Sequence, residues 1–190
     1  AERVLKEALV ENKMDATKDV KLVNLGIMEQ GPLIQKNKDA KKWGDFDAMA
    51  GFDPTPAILE AGGLVRVIHT GKVTSMVLMN EKMTEANPKL AQKVMQSIFD
   101  AYDYYRKNQV QANTWFLEEA KLKGGDQKAC ELAAQLEPNL KAADRTAMSL
   151  TLSADDLARL KTVSSFLEPQ IKKTVDVSKY IDDSAAKNLK

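Results

Sequence analysis

The chain has 190 residues, of which 44% are hydrophobic and 29% are charged, proportions typical of a folded globular protein. Its 28 basic and 27 acidic residues give a formal net charge of +1. This balance supplies no field that would attract nucleic acid or an anionic membrane surface. No apolar run approaches the roughly 20 residues that span a bilayer. We therefore expect neither a nucleic-acid-binding protein nor a membrane-spanning one.

The chain has one cysteine and one histidine, which restricts the chemistry it can perform. A single Cys130 cannot form an intramolecular disulfide or a multi-cysteine metal site. It lies in a helical pattern and is interpreted as a half-buried structural thiol. His69 ends an apolar segment, and a structural or hydrogen-bonding role is favoured for it. Contact with a ligand is the next alternative, and catalysis, as the base for Cys130 or a serine, is the last. No metal, cofactor or catalytic residue is predicted.

Up to about residue 80, short apolar segments alternate with helical ones. A helical face runs from Ala1 to Asn12, a further helical segment covers Pro32 to Lys41, and another helix begins at Pro56 with Thr55 as its cap. The apolar segments predict strands at Val20–Leu25, Phe46–Phe52, Leu64–His69 and Met76–Met79. Helices long enough to connect parallel strands then predict an α/β fold with a mostly parallel sheet.

Beyond Asn87 the pattern is helical almost to the end of the chain. A long apolar stripe predicts a helix over Pro88 to Lys107. Ser153 to Asp156 resembles a capping box at the start of another helix. Further helical segments are predicted around Trp115 to Leu122, ending near Gly124 and Gly125, around Leu132 to Leu136, and over Val177 to Leu189.

The stretch from Trp43 to Ala61 carries the strongest functional signal. It reads as a strand, a polar turn at Gly51 to Pro54, and a helix that begins at that turn. In an open α/β sheet, ligands bind at the carboxyl ends of the strands. The stretch is therefore predicted to form the floor of a binding cleft.

The order of four segments resembles that of solute-binding proteins of ABC importers. These segments are Asp19 to Leu25, Trp43 to Ala48, Gly51 to Pro54 and Ala61 to Ile68. The most similar branch is the nitrate, sulfonate and taurine group, which shares its fold with thiamine-pyrimidine binding proteins. Phe52 stands where that branch usually has Trp. Asn87–Pro88 before a long helix and the tail from Phe166 to Ile181 add to the resemblance.

The resemblance implies a partial type II periplasmic binding protein-like fold. Residues 1–75 would form the second α/β lobe of a two-lobe protein. Residues 76–190 would form a return strand and the C-terminal helices of the first lobe, whose N-terminal strands are not in this sequence. The implied protein is a periplasmic monomer with its signal peptide removed, or a lipid-anchored extracellular protein in a Gram-positive organism. It would capture a small solute between its lobes and deliver it to the ABC permease in the membrane, without catalysis.

Five residues are the candidate ligand contacts: Gly51, Phe52, Asp53, Asp47 and Gln30. Phe52 could stack on the solute and Asp53 could accept a hydrogen bond from it, although Asp53 could instead cap the next helix and Phe52 could lie in the core. Asp47 could touch the solute or brace the backbone. Gln30 lies in a predicted turn from Gly26 to Gly31, which could equally be a plain loop with Glu29 solvated.

The acidic residues also bear on the class of solute. Asp45, Asp47, Asp53 and Glu29 near one cleft edge would repel a bare anion such as nitrate. A zwitterion such as a taurine-like aminosulfonate, or a pyrimidine-like heterocycle, fits better. Two alternatives remain open: a helical protein–protein interaction module without a small ligand, and an enzyme on the same fold, similar to the pyrimidine synthases.

Overall fold

The computed structural model describes residues 1–37, 46–187 and 189, and within them the regular structure is helical. Eight α-helices fall in this described part of the chain. In chain order they are α1 Glu2–Glu11, α2 Ile27–Lys36, α3 Thr55–Ala61, α4 Glu81–Ala86, α5 Pro88–Lys107, α6 Gln109–Ala120, α7 Gln127–Ala134 and α8 Ala154–Ile171. Short 3₁₀ helices cover Pro138–Lys141, Arg145–Ala147, Val177–Tyr180 and Ser184–Ala186.

The predicted α/β fold is wrong, because no strand and no sheet occur in the described residues. The four predicted strand segments are present as chain without regular secondary structure, and they form no ladder with one another. Apolar alternation is a local property, whereas a strand exists only when a neighbouring strand takes up its backbone hydrogen bonds. Predicted features at Trp43 to Asp45, and the end of the segment predicted over Pro32 to Lys41, lie outside the described residues.

Several of the predicted helices are present in the structure. The helices predicted at the N-terminus and over Pro88 to Lys107 are confirmed as α1 and α5. A helix also begins near Pro56, as predicted. The prediction that Thr55 caps it is wrong, because Thr55 is the first helical residue, Pro54 is the N-cap, and no side chain makes a capping hydrogen bond. The turn predicted from Gly26 to Gly31 is instead the start of α2, and Glu29 accepts a hydrogen bond from the Gly26 N–H at 3.0 Å.

The chain forms two compact units, of which unit 1 comprises Ala1–Gly71 and Gln109–Glu137. Within it, α3 packs on α2 and α7, and α6 contacts α7. Leu59 of α3 is fully buried, with Ala57 beside it on the same helix. The Lys128 ammonium of α7 donates to the Ala61 carbonyl at 3.4 Å, which ties α7 to the end of α3. The short α3 is therefore the centre of this unit.

Unit 2 comprises Lys72–Asn108 and Pro138–Lys190, and α5 is its longest helix. The buried Asp103 carboxylate accepts hydrogen bonds from Arg106 and Lys107 at 2.7 Å and from Arg145 at 3.2 Å. Lys107 and Arg106 hold the pKa of Asp103 well below its usual range. The Arg145 guanidinium also lies 4.7 Å from the centroid of the Phe99 ring. This network fastens the Arg145–Ala147 turn to α5.

Side-chain caps define several helix starts. At α8, the Ser153 hydroxyl accepts from the Asp156 N–H at 3.2 Å and the Asp156 carboxylate accepts from the Ser153 N–H at 3.0 Å, which confirms the predicted capping box. The Asn87 side chain accepts from the Leu90 N–H at 3.2 Å at the start of α5.

The predicted lobe boundary after residue 75 stays a prediction.

Candidate functional site

Two of the predicted ligand-contact residues meet in unit 1, although 21 positions separate Gln30 from Gly51 in the sequence. Gln30 lies in α2 and is 8% exposed. Its side-chain Nε2 donates to the Ala50 carbonyl at 3.2 Å. This bond fixes which amide atom is the nitrogen, and the oxygen Oε1 then faces Gly51. A Cβ on Gly51 would lie 2.7 Å from Oε1, so only glycine permits this approach.

Gln30 Oε1 is buried and has no hydrogen-bond partner among the described residues. A buried amide oxygen without a donor costs about 1–3 kcal/mol relative to its hydrated state. Such an atom is rare in folded proteins, and each one calls for a physical explanation. Among the described residues of unit 1, Gln127 Oε1 is a second buried amide oxygen without a partner.

Phe52 and Asp53 follow Gly51 directly and complete what we call the Gln30 cluster: Gln30, Gly51, Phe52 and Asp53. Phe52 is 45% exposed, which overturns the alternative that it is a core residue. Partial desolvation raises the pKa of Asp53 and the nearby Glu60 charge acts in the same direction, whereas the Ala57 backbone N–H opposes both. The carboxyl of Asp53 therefore holds its proton to a higher pH than usual.

Asp47, the fifth candidate, is exposed in the segment leading to the cluster. Among the described residues, no hydrogen bond or ion pair links it to Gln30 or Gly51. Its predicted contact with a solute stays a prediction. Asp45 lies outside the described residues.

His69 and Cys130, the single histidine and the single cysteine of the chain, lie in unit 1 but are not part of the Gln30 cluster. His69 Nδ1 lies 3.0 Å from Glu11 Oε2. Cys130 is buried in α7, and burial raises the pKa of its thiol, with the charges of Asp126 and Glu131 adding to the effect. A thiol with a raised pKa is mostly protonated near neutral pH and is a poor nucleophile.

A cavity of about 630 Å³ lies in the same unit, and none of the Gln30 cluster lines it. Its apolar lining comes from Pro32, Ile58 and Leu64, and two cations, Lys36 and Lys123, also line it. Sequence reasoning missed this cavity, because its lining comes from three separate parts of the chain. For this part of the chain the sequence predicts only that a helix ends near Gly124 and Gly125.

Comparisons with protein-family models, curated proteins and solved structures found no match for this chain, so no family is assigned to it. None of the helices in the described part combines the length and the apolar character needed to cross a bilayer. The described residues also contain no group of three or more His, Cys, Asp or Glu side chains placed to hold a metal ion.

Proposed function

We propose that this chain is a solute-binding protein that takes a small organic solute at the Gln30 cluster. The observation that carries the proposal is the buried, unpartnered Oε1 of Gln30 beside Gly51. A solute N–H or O–H group that donates to this oxygen would remove its desolvation cost. The segment from Ala50 to Asp53 belongs to no helix, so a small displacement of it would open the way to this oxygen.

The neighbouring side chains suggest the class of solute. The exposed face of Phe52 can stack on a flat or apolar part of the solute. The acidic side chains of Asp53 and the nearby Glu60 repel a bare anion and suit a neutral or zwitterionic partner better. A pyrimidine-like heterocycle or a taurine-like aminosulfonate, each with N–H donors, satisfies both requirements.

The cellular setting is also part of the proposal and rests on the resemblance in sequence to solute-binding proteins of ABC importers. In that setting the protein works in the periplasm, or anchored outside a Gram-positive cell, and delivers its solute to a membrane permease. The cleft between two α/β lobes is not part of the proposal, because the described residues form no sheet. The site lies instead within unit 1.

Ligand-dependent thermal stabilisation tests the proposal directly. Taurine and uracil are the two probes, with ethanesulfonate and nitrate as anions that lack an amine. A ligand at 100 times its Kd stabilises the folded state by about 2.7 kcal/mol, which corresponds to a Tm increase of roughly 5–10 °C for a chain of this size. We expect taurine or uracil to raise the Tm and nitrate to leave it unchanged.

Gln30→Leu is the decisive variant. It replaces the amide by an apolar group of similar size. The loss of the Nε2 hydrogen bond to Ala50 and the removal of the unpartnered Oε1 act in opposite directions on the ligand-free Tm, while the response to the solute should be lost. Gln111→Leu makes the same change on an exposed position of α6 and should behave as wild type. A response that survives in Gln30→Leu, or no response to either probe in the wild type, would refute the proposed site.

A second candidate function is association between copies of this chain. Unit 2 exposes several large apolar side chains in one short segment, Val73, Met76, Val77 and Leu78, and Leu78 is 88% exposed. Exposed apolar surface of this kind is typical of interaction sites. A net charge of +1 supplies little electrostatic repulsion between copies, so a second copy is the occupant favoured here.

Sedimentation equilibrium separates self-association from the predicted monomer. If the wild type forms a dimer, Leu78→Ser should shift the equilibrium toward the monomer. Leu136→Ser, the same substitution at another exposed leucine, should not. A wild type that stays monomeric over the accessible concentration range excludes this second function.

A further inference from the structure

The cavity in unit 1 has apolar walls and cationic groups, a combination that the Gln30 cluster does not share. At about 630 Å³ it falls within the range of 300–1,000 Å³ that is typical of small-molecule sites. Pro32 of α2, Ile58 of α3 and Leu64 after α3 supply carbon surface. The cavity is open to solvent, so an apolar group that covers this carbon surface removes it from water.

The backbone around Gly124 sets the shape of one wall. Gly124 has φ +79°, a conformation that residues with a side chain rarely adopt. A Cβ there would lie 3.0 Å from Gln35 Nε2 and 3.3 Å from Ile58 Cγ2. Gln35 Nε2 donates to the Lys123 carbonyl at 3.3 Å, which holds this loop against α2. The wall is therefore fixed by a specific turn and a specific hydrogen bond.

The cations at this cavity are not neutralised within the described part of the chain. No hydrogen bond or ion pair of the Lys36 or Lys123 ammonium group is found there. Both side chains are exposed, so they can reorient toward a ligand at little cost. Two positive charges beside an apolar cavity match a molecule with an anionic head and an apolar tail.

We propose that this cavity binds an amphipathic organic anion, with its carboxylate between Lys36 and Lys123 and its alkyl chain against Pro32, Ile58 and Leu64. A bare inorganic anion would leave the apolar walls in contact with water. A neutral alcohol would form no ion pair with Lys36 or Lys123. The proposal is independent of the solute site, because no residue of the Gln30 cluster lines the cavity.

Isothermal titration calorimetry with linear carboxylates tests this directly. Each buried methylene contributes roughly a four-fold gain in affinity, so octanoate should bind about fifteen times more tightly than hexanoate. Octanol and inorganic sulfate should each bind more weakly than octanoate. The amide resonance of Gly124 in a ¹H–¹⁵N spectrum reports whether octanoate occupies this cavity, and it should shift in the titration.

Charge-removing variants complete the test. Lys36→Gln and Lys123→Gln should each weaken octanoate binding about two- to five-fold, the effect expected of an exposed ion pair. Lys21→Gln, which removes an exposed lysine of the same unit that does not line the cavity, should bind octanoate as wild type does. Ligand-free melting temperatures verify that each variant is folded.

Three results would overturn the proposal: no octanoate binding, equal binding of octanol, or unchanged octanoate affinity in the Lys36→Gln, Lys123→Gln double variant. A Gly124 resonance that does not respond while octanoate binds would place the ligand elsewhere and would also overturn it. Gln30→Leu should leave octanoate binding intact. Failure of the solute site and failure of this cavity are therefore distinguishable.

Discussion

Leu59→Ala is expected to destabilise unit 1 strongly. Leu59 is the only leucine with no exposed surface among the described residues, and it lies in a helix of seven residues. A helix this short is not stable alone in water, so α3 depends on its packing against α2 and α7. Truncating a buried leucine to alanine costs about 2–5 kcal/mol, because transfer energy is lost and a cavity remains.

Urea unfolding measures this cost. In a Trp43→Phe background, Trp115 of α6 is the only tryptophan and its fluorescence reports on unit 1. With a slope of about 2 kcal/mol per M, the loss corresponds to a midpoint roughly 1–2.5 M lower. Leu136→Ala, at a leucine that is 60% exposed, should change the midpoint little. Equal midpoints for the two variants would show that α3 is not the centre of unit 1.

Three further predictions follow from local geometry. Gly71→Ala should cost about 1–3 kcal/mol in thermal unfolding, because its Cβ would overlap the Val4 side chain. Gly31→Ala in α2, whose Cβ would make an ordinary contact with Thr55 Cγ2 at 3.7 Å, should instead stabilise by up to about 1 kcal/mol. A reversed order of the two stabilities would contradict this packing. Ser153→Ala should cost about 0.5–2 kcal/mol through loss of the cap, and a cost near zero in chemical denaturation would speak against it. The Ser153 hydrogen bonds lower the pKa of Asp156 to about 2, so the resulting stabilisation of the folded state is complete above about pH 4 and disappears as the pH falls through about 2. Plots of Tm against pH for the wild type and Asp156→Asn should therefore converge near pH 2. A Tm difference that stays constant with pH would contradict this prediction.

Helix termini were predictable from the sequence because they depend on neighbours within four residues. Asn87 followed by Pro88 and Ser153 followed by Asp156 are complete signals in themselves, and both open the helices predicted for them. The apolar stripe of α5 also needs no distant partner to be recognised. Its buried residues, including Met95 and Phe99, follow the helical period.

The absence of a sheet from the described residues could not be predicted in the same way. Leu64–His69 and Met76–Met79 have the composition of strands, yet Ile68 and Leu78 are exposed by 66% and 88%. A strand is defined by its partner, and apolar alternation does not reveal whether a partner exists. The resemblance to two-lobe solute-binding proteins supplied that partner by analogy, and the helical structure overturns that part of the analogy.

The candidate site lies between these two cases. Gly51, Phe52 and Asp53 were singled out as the end of a strand, and the strand is absent, but the turn before α3 remains because Pro54, Thr55 and Pro56 specify it locally. The meeting of Gln30 with Gly51 is a tertiary contact that no local pattern encodes. It nevertheless has a local precondition, because only a glycine lets the Gln30 amide approach so closely. Gly51→Ala should therefore disturb the Gln30 amide and the solute response together, even though the added methyl group carries no charge and removes no hydrogen-bonding group.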